Sequence, residues 1–300
     1  MIKTFDDLIE SARKIGPKTM AVAVAQDQDV LVAVYNAYKY GIVNPVLVGK
    51  KDEIESIADK SGIDLAGFDI VDVADKTEAC RKAVEMVATG KAALPMKGFV
   101  DTSIILKAVL DKEIGLMRGR LLSHVGVLAV PGYDRLFIQS DAAMNIAPNL
   151  NEKVDIINNA VEVAHALGND MPKVAVLCAV EKVNPKMPAT VDAQELAKMN
   201  EQGIISGCIV AGPLALDNAV SPEAARHKGI NNPVAGNADV LITPDIEAGN
   251  VLNKAMEYFG KAEKAGVIMG ARTPIVLTSR ASSDRSKLNS IALAVMVAGR

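Results

Sequence analysis

Short runs of Val, Ile, Leu and Ala recur along the chain without apolar–polar alternation, and segments of helical periodicity separate them. A strand that reads as a continuous apolar run is covered on both faces. Its repeated pairing with helices predicts mostly parallel sheets in an α/β/α sandwich. The strand-like runs are Lys18–Ala25, Asn44–Gly49, Phe68–Val73, Leu121–Val130, Arg135–Asp141, Lys173–Val180, Ile204–Gly212 and Ala238–Asp245, followed by "AGVIMGA" and "PIVLTS" near the end. Helical patterns occupy Asp29–Gly41, Thr77–Thr89, roughly 151–167, 192–199, 221–227 and 248–260. A final helix carries Leu288, Ile291, Ala292 and Val295 on one stripe. The turn "PGYD" at Pro131–Asp134 separates adjacent strands or marks a crossover between domains.

At 300 residues the chain is too long for one ordinary core and suits two domains of about 150 residues. Aromatic residues make up 3% and Trp is absent, so the cores are built from small and branched aliphatics. The formal charge of −3 gives no general attraction to nucleic acid or an anionic membrane, so an anionic substrate has to be held by local basic groups. Cys80, Cys178 and Cys208 are far apart and form no CxxC, which argues against zinc and against a disulfide framework. Cys178 and Cys208 lie in apolar runs, where an inert buried thiol is the simpler expectation. The first ten residues lack an apolar signal region, and no apolar run reaches about 18 residues; a soluble, cytoplasmic protein is expected. No GxGxxG follows a strand, and neither a Walker lysine motif nor GxSxG occurs, so nucleotide-fold and hydrolase readings lack their signature loops.

In parallel α/β sheets ligands bind beyond the carboxyl ends of strands, so the turns after the apolar runs carry the candidate chemistry. In "PIVLTSRASSDRSKLNS" Ser279 and Arg280 end a strand, Asp284 follows, and a helix begins close behind. Helix N–H groups with a guanidinium suit a phosphate; a serine cap beside a surface arginine is the plainer alternative. Thr243-Pro244-Asp245 closes another strand, with Gly249, Asn250 and Lys254 beyond. Asp245 alone reads equally well as an N-cap. In "GPLALDNAVS", Gly212 permits close backbone approach, Pro213 follows, and Asp217 lies in the turn beyond. Ser140, Asp141 and Asn145 follow a strand, where turn chemistry competes with ligand binding. "MKGFVDTS" presents Lys97, Gly98, Asp101, Thr102 and Ser103. His124 sits within an apolar strand, and a satisfied core histidine competes there with a substrate contact.

"GPLALDNAVS", "VAGNADVLITPDIEAGN", "PIVLTSRASSDRSKLNSIALA", "SHVGV", "SDAAMNIAP" and "CAVEKVNPKMPATVDA" resemble, in order and over essentially the whole chain, the signature segments of the phosphate acetyl/butyryltransferase family. "LTSR…KLNSIALA", "MKGF" and "EKVNPKMPAT" are nearer its butyryl branch. The resemblance implies the reversible reaction of an acyl-CoA with phosphate to give an acyl phosphate and CoA, with butyryl or another short acyl group. The alternatives are acetyl transfer, or weak binding of acyl-CoA or acyl phosphate on the same fold. It also implies a two-domain fold similar to isocitrate and isopropylmalate dehydrogenases, with the last helix returning to the first domain and the site in the interdomain cleft. The expected domains are then residues 1–133 with 285–300, and 134–284.

The family's Ser-Arg pair matches Ser279 and Arg280. The acid that its acetyl branch uses as a base toward the CoA thiol falls at Ser286; Asp284 is the nearest carboxylate, and Asp217 is a further candidate. Where the family commonly has Asp-Gly, this chain has Ala211-Gly212. A homodimer or larger assembly is implied. The reaction itself requires no metal or redox cofactor, and its partners are acyl-CoA or CoA and phosphate or acyl phosphate. A metal-dependent dehydrogenase on the same fold would need a nucleotide loop and an acidic cluster, which these turns lack.

Overall fold

The protein is described by a computed structural model covering residues 1–278 and 282–299. Helix α1 (Phe5–Ile15) buries Phe5, Leu8, Ile9 and Ala12 on one face, with acids in its first turn and bases in its last, the arrangement that amphipathic burial and the helix dipole both favour. There follow β1 (Lys18–Ala23), α2 (Gln28–Lys39), β2 (Val43–Gly49), α3 (Lys51–Ser61), β3 (Asp69–Asp72), α4 (Lys76–Ala88), β4 (Leu94–Lys97) and α5 (Thr102–Val109). The middle of the chain forms β5 (Ser123–Ala129), β6 (Leu136–Ser140), α6 (Leu150–Ala166), β7 (Lys173–Leu177), α7 (Pro188–Glu201), β8 (Ile209–Leu214), α8 (Leu216–Val220), α9 (Pro222–His227), β9 (Val240–Ile242) and α10 (Ile246–Tyr258). It closes with β10 (Glu263–Met269), β11 (Ile275–Val276) and α11 (Asp284–Ala298).

These elements form two compact units. The flanking unit is Phe5–Arg120 with Ala265–Arg300, and the central unit is Met1–Thr4 with Leu121–Lys264. In the flanking unit the strand order is β3-β2-β1-β4-β11-β10. All neighbours are parallel except β10 and β11. In the central unit the order is β5-β6-β9-β7-β8, parallel apart from β5 and β6. Mostly parallel sheet is thus what the unalternating runs encode. The units divide at 4/5, 120/121 and 264/265, whereas the sequence reading places divisions at 133/134 and 284/285. The reason lies in strand pairing. Gly126 to Ala129 pair in register with Gln139 to Leu136, so the "PGYD" turn closes a hairpin inside one unit. Val267 and Ile268 pair with Val276 and Ile275, which keeps β10 and β11 with the flanking unit.

The flanking core is aliphatic, with Met20, Leu47, Leu94 and Met96 fully buried. Helix α11 packs on α1 and α2. Its residues Lys287 to Val295 are buried without a break, so the helix is enclosed rather than one-sided as its apolar stripe predicts. In the central unit Phe137, Leu177, Leu214, Val234 and Leu241 form one cluster. The strand expected from Ile204 begins only at Ile209. Asn200 holds the preceding residues as a turn: its Nδ2 donates to Ile205 O at 2.9 Å and Cys208 O at 3.0 Å, and its Oδ1 accepts from Val210 N at 2.9 Å. Among the described residues no helix is long and apolar enough to cross a membrane.

Burial pushes the thiols of Cys80, Cys178 and Cys208 up to about 11, against the opposing pull of Lys97 on Cys80 and of Lys153 on Cys178. Only thiolates alkylate readily, so at pH 8 iodoacetamide should modify the folded chain on the order of 100-fold more slowly than the urea-unfolded chain. Mass spectrometry of timed samples measures this. Rapid modification of any one cysteine in the folded protein would contradict it.

Candidate functional site

The turn after β6 is organised by one carboxylate. Asp141 is 3% exposed. Its Oδ1 accepts from the backbone N–H of Ala143 at 2.8 Å and Met144 at 3.1 Å. Its Oδ2 accepts from His124 N at 3.3 Å, Asn145 N at 3.3 Å and Asn145 Nδ2 at 2.6 Å. Ser140 Oγ donates to His124 O at 2.8 Å, and Asn145 Nδ2 also donates to Leu122 O at 3.0 Å. Asp141 and Asn145 therefore tie the turn to β5, and the carboxylate has its acceptor sites filled by the protein itself.

The start of α10 closes on the same turn. Thr243 Oγ1 donates to Asp141 O at 2.9 Å, and Asn250 Nδ2 donates to Ala142 O at 3.2 Å. A Cβ at Gly249 would stand 2.2 Å from Asp141 O, so this glycine is required by the approach of the protein's own backbone. Asp245 Oδ1 accepts from Ala248 N at 2.8 Å and is the N-cap of α10. Lys254 pairs with Glu257 at 3.1 Å and lies over the Tyr258 ring. His124 has its pKa lowered by burial, with Asp141 opposing and Lys264 reinforcing the shift. Its Nδ1 is buried without a hydrogen-bond partner in the described residues, so it is not the fully satisfied core histidine of the simpler expectation.

The remaining central-unit candidates stand apart from that turn. Gly212 lies within β8, where a Cβ would meet Val176 Cβ at 2.9 Å and Ala193 Cβ at 3.0 Å; its close approach is to β7 and α7. Pro213 follows across a cis peptide. Asp217, in the short helix α8, is 3.2 Å from Lys228 Nζ, which also stands 3.4 Å from Glu181. Burial works to raise the Asp217 pKa, but the Asn218 N–H and the Lys228 ammonium prevail and lower it.

In the flanking unit a cavity of about 180 Å³ opens at the carboxyl ends of β1 and β4. Lys97, Gly98 and Phe99 line it from the end of β4, Asp27 and Asp29 from the start of α2, Thr278 from just after β11 and Lys287 from the first turn of α11. The backbone is tightly shaped here. Gly98 N donates to Ala23 O and Phe99 N to Val24 O, both at 2.8 Å. A Cβ at Gly98 would stand 2.2 Å from Val24 O. Val24 has φ 56, a left-handed conformation that a β-branched residue adopts only under strain, and such strain clusters at working sites. Lys97 is 6% exposed, and its ammonium donates to Val100 O at 3.0 Å and Gly98 O at 3.3 Å. Lys287 is 3% exposed, with Asp29 at 3.4 Å and Asp284 at 3.9 Å. Ser283 rather than Asp284 caps α11, accepting from Ser286 N at 3.2 Å. Asp284 and Ser286 stand in the first turn of that helix, and Thr102 opens α5. Ser279 and Arg280 lie outside the described residues, directly after Thr278 in sequence.

Of the sequence-derived candidates, the cavity brings together Lys97 and Gly98, with Asp284 beside its Lys287. The turn after β6 brings together His124, Asp141, Asn145, Gly249 and Asn250. Asp27, Asp29, Phe99 and Lys287 were not legible as site residues. The one signal for Lys287 was a lysine directly beside Leu288, at the edge of the apolar stripe of the last helix.

Fold and site together define a mostly parallel α/β protein with a polar cavity at strand ends and none of the nucleotide-binding glycine loops. The family model described as phosphate acetyl/butaryl transferase matches residues 4–82 and 75–295, and the chain belongs to that family of acyltransferases. It is 52% identical over 299 residues to the phosphate butyryltransferase of Clostridium acetobutylicum, covering 100% of this chain and 99% of the relative. It is 47% identical over 293 residues to the phosphate acetyltransferase of Thermotoga maritima, covering 98% and 99% respectively. A branched-chain phosphotransacylase from Enterococcus faecalis V583 superposes with a TM-score of 0.83 at 35% identity, covering 94% of this chain and 99% of that one.

Proposed function

We propose that the protein interconverts a short-chain acyl-CoA and inorganic phosphate with an acyl phosphate and CoA, and that butyryl is the favoured acyl group. The observation that carries this reading is the 52% identity, over the full length of both chains, to a protein named phosphate butyryltransferase. A phosphate oxygen attacks the thioester carbonyl, the new C–O bond gives a tetrahedral oxyanion, and its collapse breaks the C–S bond and releases CoA. Fixed donors and cations around the carbonyl oxygen stabilise that oxyanion, and a basic cluster offsets the repulsion between two anionic reactants. In the reverse direction a carboxylate takes the thiol proton of CoA.

The geometry ranks the candidate bases. Asp141 has its acceptor sites filled, Asp245 caps a helix, and Asp217 is held low by its neighbours. Asp284 has 57% of its side chain exposed at the start of α11 and is the carboxylate proposed for this role.

Thiol release from acetyl-, propionyl-, butyryl- and isobutyryl-CoA, with and without phosphate, tests the assignment. Phosphate-dependent release is expected, with kcat/KM for butyryl-CoA at least about tenfold above that for acetyl-CoA, the discrimination that two methylenes in an apolar pocket supply. A preference for acetyl-CoA would make the protein an acetyl transferase, as the Thermotoga maritima relative is named. No phosphate-dependent release with any ester would reject acyl transfer.

A further inference from the structure

We propose that Lys287 is the phosphate-binding cation of the flanking-unit cavity. For the identity of the anion this rests on the reading of the protein as a phosphate acyltransferase. Lys287 is 3% exposed, yet its Nζ is buried without a hydrogen-bond partner in the described residues. A buried ammonium carries three donors that normally find acceptors. Its compensation comes from two ion pairs, Asp29 at 3.4 Å and Asp284 at 3.9 Å, whose side chains are 63% and 57% exposed. Pairs with exposed carboxylates are weak and easily exchanged. Lys287 also stands in the first turn of α11, where the helix dipole disfavours a cation. Two local rules are therefore broken at one residue, and a bound anion answers both.

The cavity that Lys287 lines measures about 180 Å³, several times the roughly 30 Å³ that one water takes in the liquid. Its walls include Lys97, while Asp27 is turned to capping α2 through Val30 N at 3.0 Å. A phosphate oxygen at Lys287 accepts the donors that the protein leaves unused, and it displaces the ammonium's two solvent-exposed carboxylates. Lysine serves such a ligand as a point charge. The anion has two possible sources, inorganic phosphate (or the phosphoryl group of acyl phosphate) and the phosphates of CoA; the assignment is to the first.

The test uses the full chain, wild type and Lys287→Met, with Lys287→Arg as the charge-keeping control. Circular dichroism verifies the fold of each. In Lys287→Met the KM for phosphate should rise at least about tenfold while the KM for butyryl-CoA stays within about twofold, and the Arg variant should recover most of the loss. Calorimetric titration with inorganic phosphate, which needs no turnover, should show binding to wild type and its loss in the Met variant. If Met is not accommodated, Lys287→Gln takes its place. An unchanged phosphate KM with normal turnover overturns the Lys287 assignment and leaves the enzyme reading standing. A rise confined to the butyryl-CoA KM overturns it in favour of CoA's phosphates. Phosphate binding lost in the Met variant, in a protein that turns over no acyl-CoA, supports the site and rejects the enzyme reading. A wild type that neither binds phosphate nor turns over rejects both.

Discussion

Asp141→Asn is expected to lower the stability of the protein by about 3 kcal/mol or more. The carboxylate accepts hydrogen bonds from Ala143, Met144, His124 and Asn145 while 3% exposed. An amide keeps one oxygen, which can continue to serve Ala143 and Met144. Its nitrogen would then point at the three donors on the other side, so donors face donors. Each buried donor left without an acceptor costs about 1–3 kcal/mol. In a chain of this size a loss of about 3 kcal/mol corresponds to a fall in Tm of roughly 6–12 °C. Calorimetry or a circular dichroism melt measures it. The competing role, direct contact with substrate, predicts lost activity with little change in Tm. A variant that melts within about 2 °C of wild type would therefore transfer Asp141 from scaffold to substrate contact.

Arg280→Ala should reduce kcat/KM by about 10²-fold or more without unfolding the chain, because removing one donor that stabilises transition-state charge typically costs about 3 kcal/mol. The proposed reaction joins two anions, so the Arg280 guanidinium is expected to act on approach and on the tetrahedral oxyanion alike. Thr278, two residues before it, lines the flanking-unit cavity. Ser279→Ala removes a neutral hydroxyl, worth about 1 kcal/mol net, and should cost correspondingly less. Steady-state kinetics with butyryl-CoA and phosphate decides the point. An Arg280→Ala enzyme with near wild-type kcat/KM would make this arginine a surface charge.

The fold class was legible because burial on both sheet faces leaves a plain mark, the unalternating runs from Lys18 to Ala25 and onward. The unit boundaries were not. A four-residue turn such as Pro131–Asp134 has the same chemistry whether it closes a hairpin or begins a crossover, and only the pairing of Gly126 with Gln139 distinguishes them. Turn residues were found where they occur, but their duty was not readable. Asp245, Gly249 and Asp141 fit equally well a ligand or the protein's own N–H and C=O groups, and the close approach of Gly249 to Asp141 O and the bond from Asn250 to Ala142 O, each across 108 positions, exist only after folding. Lys287 was missed for a different reason. A stripe of Leu288, Ile291 and Val295 assigns the neighbouring lysine to water, whereas the packing of α1 and α2 against α11 encloses the helix on more sides than the stripe shows.

The flanking unit takes its residues from both ends of the chain, while the central unit is nearly continuous from Leu121 to Lys264. Synthesis runs from the N-terminus, and domains generally fold as units. The central unit thus has almost all its partners once residue 264 has emerged, with Ile2 N waiting to donate to Leu167 O. The first 120 residues have no such early completion. Their β4 lacks β11, and α1 and α2 keep apolar faces uncovered until the last 36 residues, including α11, are made. The segment from Phe5 to Arg120 is thereby completed only after the central unit that follows it, and until then it is the segment a chaperone or a protease meets open.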